Sequence, residues 1–160
     1  MVRGNFPALR LSGIEGTPPG APGEHLARLE APLLATPVLV VEDEAMIAWM
    51  MENLLEDMGF TAISIAATGE EAIEQAARLS PGLVISDINL GQNGMDGVDA
   101  AVAIRKDADL SIVFITGYAS AEARDRIARD LPGAHLLRKP VDVEDLRRAI
   151  VQTIARRGSN

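Results

Sequence analysis

Three carboxylates, one hydroxyl and one ammonium stand directly after short apolar runs in the sequence. Glu42 and Asp43 follow VLVV, Asp87 follows GLVIS, Thr116 follows SIVFI and Lys139 follows AHLLR. Carboxylate oxygens suit Mg²⁺ as ligands, and an ammonium with a hydroxyl suits the oxygens of a phosphoryl group. These residue types indicate metal-assisted phosphoryl chemistry, provided that the fold brings the five positions together.

Each of these residues also has a simpler interpretation when it is taken alone. An acidic pair after a strand is more often a helix N-cap with solvated charge. Asp87 could stand in an Asx turn, and Thr116 and Lys139 could be a turn hydroxyl and a surface lysine. The chemical interpretation therefore depends on whether the five positions meet at one place.

Neighbouring residues in the first predicted helix receive structural roles. Glu44 is most simply a first-turn acid, where the helix dipole favours a carboxylate. Trp49, Met50 and Met51 are predicted to pack in the core.

From Val38 onward, strand and helix signals alternate with short connections. Strands are predicted at 38–42, 61–66, 82–86, 111–115 and 134–137. Helices are predicted at 44–58, 69–79, about 97–107, about 119–130 and 142–156. This alternation is typical of a doubly wound α/β fold, a parallel sheet with helices on both faces. Ligands of such sheets bind beyond the carboxyl ends of the strands, which is where the five candidate residues fall.

Composition and charge exclude several classes of function. The chain has 160 residues, of which 48% are hydrophobic, enough for one domain with a real core. Its net charge of -8 and its 3% aromatic residues are unlike a nucleic-acid-binding protein, which needs a basic face. There are no cysteines, and no apolar run approaches membrane-spanning length. We therefore expect a cytoplasmic protein with neither nucleic acid nor membrane as a partner.

The first 36 residues differ in kind from the rest. The segment GIEGTPPGAPG is dense in glycine and proline, so residues 1–36 are predicted to form a flexible arm before a domain at 37–157. Leu26, Leu29 and Leu33 have roughly helical spacing, interrupted by Pro32. A short helical turn there could touch the domain or a second copy of the chain in a homodimer. Residues 1–23 are predicted to be dispensable for phosphoryl chemistry.

Four segments carry a resemblance to a known family. VLVVEDE, VISDINL, FITGYA and LLRKP occur in the order, and with spacings close to those, of the response-regulator receiver domain of bacterial two-component signalling. The resemblance covers residues 37 to about 157. It implies a flavodoxin-like receiver fold, a five-stranded parallel sheet of order 2-1-3-4-5 with five helices.

The resemblance also implies a role for each candidate residue. Asp87 would accept a phosphoryl group from a phosphohistidine and become an acyl phosphate. Mg²⁺ would be held by acidic side chains and one backbone carbonyl, which belong to Glu42, Asp43, Asp87 and Asn89. Lys139 would pair with a phosphoryl oxygen, and Thr116 would hydrogen-bond one.

The sequence departs from the family's common pattern at several positions. Gly91 stands where receivers usually have a proline, and Leu136 stands where they usually have an aromatic switch residue. FITGY resembles a Phe-Ala-Thr-Gly-Tyr signature subgroup, typically paired with histidine kinases of the HWE type, although Ile115 replaces the alanine. Because Leu136 has no polar tip, Tyr118 is predicted to act as the switch together with Thr116.

The predicted function is that of a single-domain response regulator that is not an enzyme. Its partners would be a sensor histidine kinase or phosphotransfer protein and an unidentified downstream protein. Since no output domain follows the last predicted helix, it would act as a protein-interaction switch or as a phosphate relay or sink. The alternative is a pseudo-receiver, a constitutive binding module without phosphotransfer.

Two enzyme classes are disfavoured by the sequence. A carboxylate-nucleophile phosphatase needs an acid two residues after Asp87, and Asn89 occupies that position. A P-loop enzyme needs a glycine-rich loop ending in Gly-Lys-Ser or Gly-Lys-Thr, which the chain lacks.

Overall fold

The computed structural model describes residues 31–91 and 94–157 of the chain. Its strands are β1 (Val38–Val41), β2 (Ile63–Ala66), β3 (Leu83–Ser86), β4 (Ser111–Thr116) and β5 (His135–Arg138). Its helices are α1 (Ala31–Leu34), α2 (Ala45–Asp57), α3 (Gly69–Leu79), α4 (Gly97–Asp107), α5 (Ala121–Asp130) and α6 (Val143–Arg157). All ten predicted elements are present with ends within two residues of those predicted, and α1 is a sixth helix. None of the helices in the described ranges is long and apolar enough to cross a bilayer.

The five strands form one parallel sheet in the order β2-β1-β3-β4-β5, which confirms the predicted topology. The central strands β1, β3 and β4 are buried at every residue, whereas the edge strands β2 and β5 are mostly half-buried. Continuous runs of Val, Ile and Leu suit central strands because both of their faces are covered. The strand order reverses between β1 and β3, so their carboxyl ends flank the position where ligands of doubly wound sheets bind.

Alternate residues of each strand face two separate hydrophobic cores. On one face, Leu39 and Val41 belong to a cluster with residues of α3, α4 and α5. On the other face, Val38 and Val40 belong to a cluster with residues of α2 and α6. The loops that carry the candidate site residues therefore leave a sheet that is packed on both faces.

Local sequence fixes the start of three helices. Thr68, Asp96 and Ser120 are the N-caps of α3, α4 and α5, and each side chain accepts a hydrogen bond from the backbone N–H three residues later. The start of α2 differs, because Glu44 stands at the N-cap position and its side chain makes no capping hydrogen bond. Glu44 therefore lies one position before the first turn of α2, in which it was predicted to lie.

The last residues of the predicted arm pack on the domain. Leu33 and Leu34 of α1 contact the core on the face of α2 and α6. The N–H of Thr61 lies 3.4 Å from the carbonyl oxygen of Leu34, to which it donates. Leu26 and Leu29 lie outside the described residues, and a domain boundary at residue 36 stays a prediction.

Candidate functional site

The register of the parallel strands aligns the residues that follow them. The N–H of Asp87 donates to the carbonyl of Val41 at 2.9 Å, so the ends of β1 and β3 stay paired beyond the last strand residues. The N–H of Lys139 donates in the same way to the carbonyl of Thr116 at 2.9 Å, at the ends of β4 and β5. Side chains from four strand ends thereby meet at one edge of the sheet.

Lys139 joins two buried carboxylates at this edge. Its Nζ lies 2.8 Å from Asp87 Oδ2 and 2.9 Å from Glu42 Oε2. Glu42 is 5% exposed and Asp87 is 8% exposed, so both carboxylates have lost most of their contact with water. Buried carboxylates are stable as anions only when they are paired, and the ammonium of Lys139 supplies that pairing.

A third carboxylate completes an acidic group. One carboxylate oxygen from each of Glu42, Asp43 and Asp87 lies within 4.8 Å of the other two. Asp43 is exposed, so a ligand can reach the group from solvent. Three carboxylates facing one ammonium leave an excess of negative charge, which a divalent cation with oxygen ligands would balance.

The two ends of the ion pair respond differently to burial. Burial raises the pKa of Glu42 above its ordinary value, and this exceeds the lowering by its hydrogen bonds from Lys139 and from the N–H of Glu44. Burial alone would lower the pKa of Lys139. Its hydrogen bonds to Asp87 and Glu42, together with their negative charges, have the larger effect, so the pKa of Lys139 is raised above its ordinary value. The difference arises because Lys139 pairs with two anions, whereas Glu42 shares this one cation with Asp87 and is repelled by the negative charge of Asp87. The site therefore keeps Lys139 charged and leaves Glu42 short of positive charge.

A hydrogen-bonded network holds the hydroxyl of Thr116 beside the acidic group. Thr116 Oγ1 donates to the carbonyl of Tyr118 at 3.0 Å. Asn89 Nδ2 donates to Thr116 Oγ1 at 3.1 Å and to the same carbonyl at 3.0 Å, while the Asn89 N–H donates to Asp87 Oδ1 at 3.1 Å. The sequence analysis predicted a role only for the backbone carbonyl of Asn89, as a metal ligand, and missed these hydrogen bonds of its side-chain amide. Its position two residues after Asp87 was the available signal, but Asn89 and Thr116 are 27 positions apart in the sequence, and no local pattern predicts a contact at that separation.

Two glycines shape the loop after Asp87. Gly91 has φ +71°, a conformation that proline cannot adopt, which explains why the family's usual proline is absent. A Cβ at Gly97 would lie 1.8 Å from the carbonyl oxygen of Asp87, so α4 starts against the backbone of the candidate phosphoacceptor. The sequence analysis noted Gly91 and missed Gly97, whose signal is a glycine at the first position of a helix.

Two residues of α2 that were predicted to pack in the core lie on its outward face. Met51 is buried as expected, but Trp49 is 59% exposed and Met50 is exposed as well. The prediction that Trp49 and Met50 pack in the core is therefore wrong, because the helix turns these two side chains away from the sheet.

Comparisons with known proteins show which family the chain resembles along most of its described length. A model of the response regulator receiver domain family matches residues 38–151. The transcriptional regulatory protein PdtaR of Mycobacterium tuberculosis is 34% identical over 119 residues, which cover 74% of this chain and 57% of PdtaR. The phyllosphere-induced regulator PhyR of Methylorubrum extorquens is 38% identical over 86 residues, which cover 53% of this chain and 32% of PhyR.

A solved structure shows the same likeness. The solution NMR structure of the PhyR response regulator REC domain of Erythrobacter litoralis is 32% identical and superimposes with a TM-score of 0.62. The match covers 75% of this chain and 90% of that domain. The chain spans about one third to a little over half of the length of the two curated relatives that it matches.

Proposed function

The chain belongs to the response regulator receiver domain family, and from this membership we propose that it accepts a phosphoryl group on Asp87 from a histidine kinase or phosphotransfer protein. The observation that carries the proposal is the contact of Lys139 with both Asp87 and Glu42 beside a third carboxylate. Receiver domains act as signalling switches, and we propose the same role here rather than that of an enzyme.

Mg²⁺ fits the residues at this edge of the sheet. The oxygens of Glu42, Asp43 and Asp87 are close enough to share one ion, and hard oxygen ligands are those that Mg²⁺ prefers. The carbonyl of Asn89 is the proposed fourth protein ligand. When bound, the ion would supply positive charge that offsets the negative charge of Asp87 and of an incoming phosphoryl group.

The chemical step uses Asp87 as a nucleophile. A carboxylate oxygen of Asp87 forms a bond to phosphorus while the bond from phosphorus to the donor's imidazole nitrogen breaks, and that nitrogen keeps the electron pair. The products are an acyl phosphate and a free histidine side chain on the donor. Lys139, now 2.8 Å from Asp87 Oδ2, is placed to pair with a phosphoryl oxygen once Asp87 is modified.

The hydroxyl of Thr116 is the group that would respond to phosphorylation of Asp87. The hydroxyl of Thr116 is bound to the carbonyl of Tyr118, so it must leave that carbonyl before it can donate to a phosphoryl oxygen. Its departure removes the hydrogen bond from Thr116 to the Tyr118 carbonyl and leaves the one from Asn89. Phosphorylation would thereby loosen the loop between β4 and α5 and shift it between two conformations.

Uptake of a phosphoryl group is expected to require Mg²⁺, because the three carboxylates would otherwise repel the donor. Incubation of the chain with acetyl phosphate and Mg²⁺ should give the acyl phosphate, and excess chelator should abolish it. Returning Mg²⁺ in excess of the chelator should restore it. Uptake at an undiminished rate in chelator would show that the acidic group does not work through a metal.

Tyr118 is proposed as the residue that reports this change. Tyr118 is 69% exposed, and among the described residues no heavy atom outside the adjacent residues lies within 4 Å of where a Cβ of Gly117 would stand, so the loop has room to move. Leu136, at the usual aromatic position, is half-buried against the core and has no polar tip.

Tyr118→Ala is expected to accept a phosphoryl group on Asp87 but to lose the accompanying changes in α5 and β5. Amide chemical shifts before and after phosphorylation measure this response. Tyr118→Phe is the matched control, because it keeps the ring and removes only the hydroxyl. If Tyr118→Ala responds at wild-type size, Tyr118 is only an exposed loop residue and the signal passes through Thr116 and the backbone.

The partners of the proposed switch follow from its chemistry. The donor is proposed to be a kinase of the HWE type, on the strength of the FITGY segment, and the two proteins would meet in the cytoplasm. PdtaR and PhyR are named as regulators, which supports an output by contact with a downstream protein. A chain that binds such a partner but takes up no phosphoryl group would instead be a pseudo-receiver.

A further inference from the structure

A cavity of about 490 Å³ lies at the edge of the sheet where β4 and β5 begin. Its lining comes from the end of α4, the start of β4, the turn before β5 and the last part of α6. β4 runs from Ser111 to Thr116, a length of about 17 Å, so the cavity and the acidic group lie at opposite ends of this strand. The cavity is therefore separate from the candidate phosphoacceptor site.

Two arginines from different helices line the cavity, Arg105 of α4 and Arg156 of α6. Nη1 of Arg105 donates to the carbonyl of Pro132 at 3.1 Å, which holds this half-buried guanidinium at the turn before β5. Burial and the positive charge of Arg156 lower the pKa of His135, the first residue of β5. Neither guanidinium forms a salt bridge to another described residue. Both positive charges are thus available to an anion.

A buried hydroxyl without a partner lines the same cavity. Ser111 is 2% exposed, and its Oγ has no hydrogen-bond partner in the part of the chain that the structure describes. Val113, two residues later, packs in the cluster of α2 and α6, so the alternation of the strand puts Ser111 on the same side as Thr153 of α6. The hydroxyl of Thr153 donates elsewhere, to the carbonyl of Ala149 at 2.7 Å. Because buried polar groups are almost always paired, the Ser111 hydroxyl indicates that a ligand binds here.

We propose that this cavity binds a small phosphate monoester. Arg105, Ser111 and Arg156 bring hydrogen-bond donors from three elements, and a phosphate monoester has three terminal oxygens to accept them. Guanidinium groups match phosphate oxygens two at a time and remain charged throughout the physiological pH range. A carboxylate has only two oxygens and would leave one of the three donor groups without an acceptor.

The rest of the lining suits an apolar body attached to the phosphate. Leu110, Ile112, Pro132 and Ala134 contribute apolar surface, and the volume is in the range of small-molecule sites. Asp109 also lines the cavity, and its carboxylate would repel an anion. The attraction of the arginines has to exceed this repulsion, so the affinity is expected to fall as added salt screens the charges.

Titration of the full chain with phenyl phosphate in excess chelator tests the proposal. Saturable changes of amide chemical shift are expected at 105–112, 132–135 and 153–156, and none at 42–44 or 87–89. Phenyl phosphate is expected to bind about fivefold more tightly than inorganic phosphate, which lacks the apolar body, and than benzoate, which has fewer oxygens. Asp87→Asn is expected to bind the probe as the wild type does, so this result is independent of the proposed function.

Removal of both guanidinium groups is expected to have the largest effect on binding. Arg105→Gln with Arg156→Gln should weaken the binding of phenyl phosphate by about tenfold or more. Arg78→Gln with Arg124→Gln is the matched control, because it removes the same charge from exposed positions that do not line the cavity. The control is expected to keep the wild-type affinity.

Two single variants test the site without changing Arg105, whose bond to Pro132 contributes to the fold. Ser111→Ala is expected to weaken binding about fivefold without lowering the midpoint of urea unfolding, because the hydroxyl that it removes has no partner among the described residues. Asp109→Asn is expected to tighten binding about threefold, because it removes the repelling charge.

Three results would overturn the proposal. They are the absence of saturable shifts at the cavity, equal losses of affinity in the two double variants, and wild-type affinity in Ser111→Ala. Benzoate binding as tightly as phenyl phosphate would overturn the assignment of a phosphate monoester.

Discussion

Gly97→Ala is expected to lower the free energy of unfolding by about 3 kcal/mol or more, an effect large for a single methyl group. The added Cβ would lie 1.8 Å from the carbonyl oxygen of Asp87 and 2.8 Å from Ser86 Oγ. Ser86 is the last residue of β3 and Asp87 follows it, and both are buried, so a shift of either would disturb the packing of the sheet. The start of α4 would have to move instead, which would break the 2.8 Å hydrogen bond from the Gly97 N–H to the carbonyl of Ile88.

Urea unfolding followed by circular dichroism measures this effect. Gly117→Ala is the matched control, because its Cβ position has no heavy atom within 4 Å in the described part of the chain, apart from the adjacent residues. Its stability is expected to stay within about 0.5 kcal/mol of the wild type. Equal unfolding midpoints for the two variants would show that α4 does not start as close to Asp87 as the structure places it.

Asp43→Ala is expected to abolish measurable Mg²⁺ binding. The variant removes one of three carboxylates from a site that has few other protein ligands, and Mg²⁺ bound by so few groups is held weakly even in the wild type. Asp43 is exposed, so the fold itself should remain. Stabilisation of the wild type by added Mg²⁺, which follows from mass action, should disappear in the variant.

A titration with Mg²⁺, monitored by the amide shifts of residues 42–44 and 87–89, measures the affinity. Glu44→Ala is the matched control, since it removes the same charge from the neighbouring exposed position and is expected to keep the site. Unchanged affinity in Asp43→Ala would remove Asp43 from the ligand set. Equal losses in both variants would mean that net charge, rather than ligation, governs the affinity.

The fold could be predicted because its signals are local. Continuous apolar runs such as VLVV identified the central strands, and the alternation of strand and helix signals placed the helices between them, as the structure confirms. The co-location of Glu42, Asp87 and Lys139 followed from one rule, that parallel strands present their carboxyl ends at the same edge.

The features that were missed depend on contacts between distant residues or on the rotation of a helix. The amide of Asn89 binds Thr116 across 27 residues of sequence, and no periodicity reports such a contact. Gly97 matters because of what lies opposite it, the backbone of Asp87. Trp49 was assigned to the core by its type, but its position on α2 turns it outward.

The central claim, that Asp87 is the phosphoacceptor, is tested most directly by the intact mass of the chain after incubation with a small phosphodonor and Mg²⁺. Asp87→Asn keeps the size of the side chain and removes the nucleophilic carboxylate, so it isolates the chemistry from the packing. The account predicts one added phosphoryl group on the wild type and none on Asp87→Asn. An adduct of equal yield on Asp87→Asn, or no adduct on a wild-type chain that binds Mg²⁺, would contradict it.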